Sequence, residues 1–348
     1  MRIGQLSRSE LAGRLARGGL SLATGPVTTR IRTSIPGVAA HLAALYADFP
    51  LGEADGIADF SCQLRPPRGV RRYYRPQVLF LADGRSVFKP LAYHQAGPML
   101  EWGMNWCIAS QLRDRLIFHA AALERGGRAL LLAAPPGSGK STLCAALACR
   151  GWRLLTDEAA LVELGAGRVS VAGTARPVSL KNASIEAVQR LAPEAALSAP
   201  CRDTLKGTVA HMRPPPESVR RAQEPAAPAW LVFPRFVPGA PTRLTERSRP
   251  EAFMGLAANA FNYAALGRRA FHRTADLVER VACYDFRYSR LEEAVQVFDE
   301  LATRREPSAV PGAGEPGYHG RPHGPGVDGA AAGGAGERAA RHPVAPGR

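Results

Sequence analysis

Apolar and polar residues alternate from Val27 to Arg32, with Val27, Thr29 and Ile31 on one face, which predicts a strand. Upstream, Ser7 and Glu10 form a capping-box pattern ahead of a short amphipathic helix that Gly18-Gly19 stops. A second helix is expected from about Pro36 to Tyr46, with Ser34 as its cap. Residues 57–94 read as β structure. Val78 to Ala82, then Asp83-Gly84, then Val87-Phe88 predicts a hairpin, because Asp-Gly supplies the positive φ angles of a tight turn. Pro98 to Leu112, with Trp102 and Trp106 four apart, predicts a buried helix packing this N-terminal part on the rest.

From about residue 115 the pattern changes. Leu116 to Leu123 is a strand, Arg125 to Arg128 a turn and Ala129 to Ala133 the next strand. If the Gly126-Gly127 turn is tight, His119 falls opposite Ala133 or Ala134. A helix follows from Ser141 to Arg150, then apolar runs through Leu155 and from Ala159 to Val162, and a turn at Gly165 and Gly167 into Val169 to Val171. Hairpins on both sides of residues 134–142 predict a mixed sheet. Residues 198–228, rich in Pro and polar side chains, read as a surface loop. A strand over Trp230 to Phe236, helices at about 250–266 and 270–281, and a strand over Tyr284 to Tyr288 follow. Ser289 and Glu292 cap a final helix. Residues 307–348 are Gly/Pro/Ala-rich and hold too few large apolar side chains to offset ordering entropy, so a disordered tail is expected. Its three histidines are too sparse for a metal site. The chain thus divides into an α+β region over 1–112, a second domain over 113–306 and the tail.

Composition sharpens this in two ways. The net charge of +15 invites a nucleic-acid reading, and Arg65 to Arg75 interleaves basic residues with Tyr73 and Tyr74. Yet only four of the 45 basic residues are Lys (Lys89, Lys140, Lys181, Lys206), so Arg is the default positive charge and a solvated basic surface explains the excess. A phosphate-rich or anionic partner stays open; nucleic acid is not expected. Against that background a Lys at 140 stands out, because a compact ammonium on a flexible stem reaches phosphate oxygens where a planar guanidinium does not. The six cysteines are scattered with no metal spacing, no apolar run is long enough to span a membrane, and Arg14 and Arg17 interrupt any signal-peptide core. A cytoplasmic protein with reduced thiols and no membrane partner is expected.

The chemistry centres on Ala134-Pro135-Pro136-Gly137-Ser138-Gly139-Lys140-Ser141-Thr142, between an apolar strand and a helix. This is a P-loop (Walker A) pattern with Ala134 in place of the first Gly. Backbone amides of 137–142 would cradle the β-phosphate of a nucleotide, Lys140 would bridge its β- and γ-phosphates, and the Ser141 hydroxyl would hold Mg²⁺. A chance Gly-Ser turn before a helix is the alternative. Asp157-Glu158 ends a strand-like run 17 residues after Lys140, where a metal ligand or general base belongs, although an acidic pair there is also a common solvated turn. His119 alone reads equally as a core histidine.

Together, His119, the loop and Asp157 resemble the core of HPr kinase/phosphorylase, and the chain to about residue 300 is most similar to the group called HprK-related kinase A. The segments Glu101 to Trp106, Phe118 to Glu124, Ala134 to Leu143, Gly151 to Glu158, Val178 to Asn182 and Lys206 to His211 carry the resemblance. It implies a P-loop domain with a mixed sheet, like HPr kinase and phosphoenolpyruvate carboxykinase. It also implies an ATP- and Mg²⁺-dependent kinase. Asp157 would take the substrate hydroxyl proton, or protonate the leaving oxygen in the reverse phosphorolysis. His119 would stand between Asp157 and the transferring phosphoryl group. Glu158 would support Mg²⁺ beside Ser141 and Asp157, and Lys181 would contact phosphate. Three departures matter: Ala134 for Gly, Glu158 for the second Asp, and Lys181-Asn-Ala-Ser-Ile-Glu186 for a Gly-rich run. The last turns the expected acceptor from HPr to a Ser/Thr hydroxyl of a peptide or small protein. The alternative is an ATP-binding switch or scaffold of a peptide-modification system. A homo-oligomer stays open.

Overall fold

From Val27 to Thr33 every second residue is buried and those between are half-exposed or exposed, because this strand shows one face to a core, and the N-terminal sheet grows from it. The computed structural model describes residues 1–53, 56–165 and 167–304. Helix α1 (Arg8–Arg17) opens on the expected capping box, the Glu10 N–H donating to Ser7 Oγ and the Ser7 N–H to Glu10. Strands β1 (Leu20–Thr24) and β2 (Val27–Thr33) pair antiparallel, and helix α2 (Pro36–Leu45) follows. Its N-cap is Ile35, not Ser34, with no side-chain cap bond. Pro36 at the first helical position pre-sets φ and brings no N–H to satisfy.

Strands β3 (Phe60–Arg65), β4 (Gln77–Ala82), β5 (Arg85–Ser86) and β6 (Leu91–Ala92) complete a six-stranded sheet in the order β1-β2-β3-β4-β5, with β6 also on β4. The Asp83-Gly84 turn forms at φ of 47° and 81°, and the returning strand is Arg85-Ser86 instead of Val87-Phe88. Helix α3 (Ala96–Gln111) packs on this sheet and is largely buried, as expected, with Trp102 and Trp106 half-buried at its edge.

Strand β7 (Arg115–Arg125) turns at Gly126-Gly127, both at positive φ, into β8 (Arg128–Ala133). Helix α4 (Lys140–Cys149), β9 (Arg153–Thr156), β10 (Ala159–Glu163), β11 (Val171–Ala172), β12 (Val178–Lys181) and α5 (Ala183–Leu191) follow. The expected loop over 198–228 instead holds β13 (Cys201–Thr204), β14 (Gly207–Met212) and α6 (Pro216–Arg220). Strands β12, β14 and β13 form a small antiparallel sheet whose middle strand is buried from Val209 to Met212. The prolines at 214–216 end β14 and start α6; they do not mark a loop of their own.

Then come β15 (Ala227–Phe236), β16 (Arg243–Glu246), α7 (Arg249–Ala258), α8 (Tyr263–Leu266), α9 (Arg268–Glu279), β17 (Ala282–Tyr288) and α10 (Leu291–Thr303). The helix expected over 250–266 is interrupted between α7 and α8. Ser289 does not cap α10; its hydroxyl donates to the Ala240 carbonyl, and Arg290 is the N-cap.

The large sheet runs β11-β10-β7-β8-β15-β17-β16, with β9 also on β7. Strand β15 is parallel to β8 and β17 while β7 and β16 are antiparallel to their neighbours, so the sheet is mixed. One face packs against α4, α5 and α10, and the other against α7 and α9. Residues 1–304 form one compact unit. The tail expected over 307–348 lies outside the described residues. Among the described residues no helix is long and apolar enough to cross a membrane. The six cysteines are free.

Candidate functional site

Strand β7 organises the site. Its first half, Arg115 to His119, pairs with β10, and Ala122 to Glu124 pairs with β9 along the same edge. Ala159 lies across from His119 and Thr156 from Ala122, so Asp157 and Glu158 occupy the break between the two pairings. On the other edge Ala120 faces Ala133, which brings His119 level with Ala134. The tight hairpin therefore sets loop, histidine and carboxylates side by side.

The loop from 134 to 139 is held by its neighbours. Gly137 and Gly139 stand at φ of 86° and 89°. A Cβ on Gly139 would meet Tyr288 Oη at 2.4 Å and Phe236 Cβ at 2.9 Å, so only glycine fits there. Tyr288 Oη donates to the Gly139 carbonyl at 2.9 Å, and the Phe236 N–H donates to the Ser138 carbonyl at 2.8 Å. Helix α4 starts at Lys140, and its first-turn N–H groups have no partners within the helix.

A cavity of about 430 Å³ is lined by residues 135–142, His119, Asp157, Glu158, Ser179, Lys181, Asn182, Ser184 and Lys206. Every expected site residue lines it except Ala134, which is buried behind the loop. Lys140 is 6% exposed and its Nζ donates to the His119 carbonyl at 3.4 Å. Burial lowers its pKa, while Asp157 and Glu158 pull it back up. Burial raises the Asp157 carboxyl against the opposing pull of Lys140. Asp157 Oδ2 accepts from the Ser179 N–H at 3.1 Å, and its Oδ1 is buried without a partner. The His119 ring stacks on Phe261 at 5.3 Å; burial, then Lys140, lowers its pKa to about 4, so it is neutral near pH 7. Lys206 is lowered by burial and lies over the Trp102 ring at 5.2 Å.

Glu158 is held from behind. Its Oε2 accepts from Asn105 Nδ2 at 2.6 Å, Asn105 Oδ1 accepts from the Arg176 guanidinium at 2.6 Å, and Arg176 donates to Glu101 at 2.7 Å. Asn105, Arg176 and Phe261 were not singled out from sequence. Asn105 lies inside the quoted Glu101 to Trp106 segment, but nothing local shows that α3 reaches Glu158. Arg176 and Phe261 sit in irregular chain with no spacing signal.

Among the described residues no three His, Cys, Asp or Glu side chains gather to hold a metal alone. The polar atoms do suit a phosphate with a cation. Ser138 Oγ and Asp157 Oδ1 are both buried and unpartnered on residues that line the cavity, one fit to donate to a phosphate and the other to ligate or accept a proton.

No family model matches the chain, and no curated protein matches it. Among solved structures, the Hpr(Ser) kinase/phosphatase from Coxiella burnetii is similar at 11% identity, covering 53% of this chain and 93% of that chain, with a TM-score of 0.23. So slight a likeness carries no argument. The class that stands is a mixed α/β protein with a polar cavity where β7, β8 and α4 meet.

Proposed function

We propose that this protein is an ATP-dependent kinase that transfers the γ-phosphoryl group to a Ser or Thr hydroxyl of a peptide or small protein. One observation carries the reading: the glycine loop, buried Lys140 and the unpartnered Asp157 oxygen all face one cavity. The backbone amides of 137–142 would bind the β-phosphate at the α4 N-terminus, and Lys140 would reach the β- and γ-oxygens. Ser141, Asp157 and Glu158 would hold Mg²⁺, which when bound neutralises charge on the phosphates. Asp157, its pKa raised by burial, is suited to take the acceptor proton. The acceptor oxygen then bonds to the γ-phosphorus, the bond from that phosphorus to the β,γ-bridging oxygen breaks, and ADP leaves with that electron pair. Neutral His119 can hydrogen-bond the transferring group without adding a fixed charge beside Lys140.

The test is transfer from γ-labelled ATP to peptides encoded beside this protein. Asp157→Asn is expected to lose about 10²- to 10⁴-fold in rate, and Lys140→Ala to lose ATP-induced thermal stabilisation. Unchanged transfer by Asp157→Asn removes the assigned base. Tight Mg·ATP binding with no transfer to any acceptor supports the switch or scaffold reading instead.

A further inference from the structure

A second cavity, of about 520 Å³, adjoins the first across Gly137, Gly139, Thr142, Lys181, Asn182 and Ser184. Nothing in the transfer chemistry uses it. We propose that it receives the nucleoside of the bound nucleoside triphosphate, with the base lying on the Phe236 ring. This rests on the nucleotide reading above and adds a direction to it.

The direction follows from the order of residues along α4. Lys140 and Ser141 line only the first cavity, together with Asp157, Glu158 and His119, whereas Thr142 lines both. A triphosphate whose γ end lies at Asp157 has its α end toward Thr142. The group attached to the α-phosphate then has the second cavity in front of it.

Beyond the residues they share, the two spaces are lined differently, although Lys181, Glu292 and hydroxyl side chains make the second partly polar too. Cations, carboxylates and hydroxyls face the first. The second adds Phe236, 45% exposed and edge-on to Tyr288 at 5.6 Å, and the small Ala187 on α5. Arg190 and Arg290, with well-exposed side chains, stand at its rim. An exposed aromatic ring in a cavity also lined by a small residue and by guanidinium groups suits a planar heteroaromatic base on a ribose, and the volume is that of an ordinary small-molecule site. Wall and loop are also one piece, since the Phe236 N–H and Tyr288 Oη hold consecutive loop carbonyls. A base seated on Phe236 would fix where its phosphates lie.

The experiment compares ATP with inorganic tripolyphosphate, both with Mg²⁺, by calorimetry on the full chain. Wild type is expected to bind ATP more tightly. Phe236→Ala, which removes the stacking face, is expected to weaken ATP about tenfold while leaving tripolyphosphate within about twofold. Ala187→Trp, which fills the space, is expected to do the same without touching Phe236. The inference is overturned if ATP affinity is unchanged in both variants, or if both ligands weaken equally in both. Equal wild-type affinity for the two ligands overturns it while leaving the phosphate site in place. If wild type binds neither, the nucleotide reading itself falls and this inference with it.

Discussion

At the scale of single residues, the strongest constraint is at Gly139. An alanine there would keep a left-handed backbone at a cost of about 1–2 kcal/mol, and its methyl would press on Tyr288 Oη and Phe236. Gly139→Ala is expected to lower the urea midpoint and to lose ATP-induced thermal stabilisation; a variant stabilised by ATP as wild type is would show that the loop geometry is not needed. Two histidines set a second expectation. Burial holds His119 and His211 down to about 4 from the usual 6.5. The folded state therefore binds fewer protons than the unfolded chain between those values. The stability this contributes is fully present above 6.5 and is lost as pH falls toward 4. Urea denaturation near pH 7 and near pH 5 should show the drop, and His211→Gln should flatten the dependence. An unaltered slope would mean that His211 titrates alike in both states. The positive-φ glycines at 137 and 139 and the helix beginning beside them were legible from spacing, because a tight turn into a helix ties glycine to fixed positions. The raised Asp157 was not, since its shift comes from burial that only the assembled sheets create.

At the scale of elements, local signals succeeded where the chain satisfies itself locally. The capping box of α1 formed as written, and Ser7→Ala is expected to cost about 1 kcal/mol, read as a lower urea midpoint with ATP binding unchanged. The Gly126-Gly127 hairpin likewise fixed the register that brings His119 level with the loop. Where a distant partner competes, the same signals misled. Ser289 has the spacing of a cap, yet its hydroxyl is taken by the Ala240 carbonyl. Residues 201–212 read as loop because the buried run in β14 is short and does not alternate, and its neighbours β12 and β13 are themselves brief. Their pairing is a property of a separate small sheet that no single segment announces. That sheet matters to the site, because β12 delivers Ser179 and Lys181 to the cavity and the β13–β14 turn delivers Lys206.

At the scale of the whole molecule, a buried polar chain links the N-terminal region to the cavity. Glu101 on α3 accepts from Tyr46 Oη at 2.8 Å, lies 2.9 Å from His41 Nε2, and pairs with Arg176. Burial alone would raise the Glu101 carboxyl, but Arg176 and His41 outweigh it and hold it well below the usual range. Arg176 then passes through Asn105 to Glu158. The pair is 3% and 6% exposed at its side chains, so each charge depends on the other. Removing one partner leaves the other charged and buried with only polar neighbours, Tyr46 and His41 at Glu101 or Tyr46 and Asn105 at Arg176, at a cost of about 3–5 kcal/mol, whereas removing both leaves no buried ion without its counter-ion. Arg176→Met and Glu101→Met are each expected to destabilise strongly in urea, and the double variant to be more stable than the sum of the singles allows. Additive losses would mean that the two groups do not act as a pair. Asn105→Ala separates support of Glu158 from support of the fold. It leaves the Glu101–Arg176 pair in place, removes one hydrogen bond from Arg176 and frees the Glu158 carboxylate at the cavity. Its expected signature is a higher Mg²⁺ requirement for ATP-induced stabilisation with a small change in urea midpoint. An unchanged Mg²⁺ requirement would show that Glu158 keeps its position without α3, and that the N-terminal region supports the domain without reaching its chemistry.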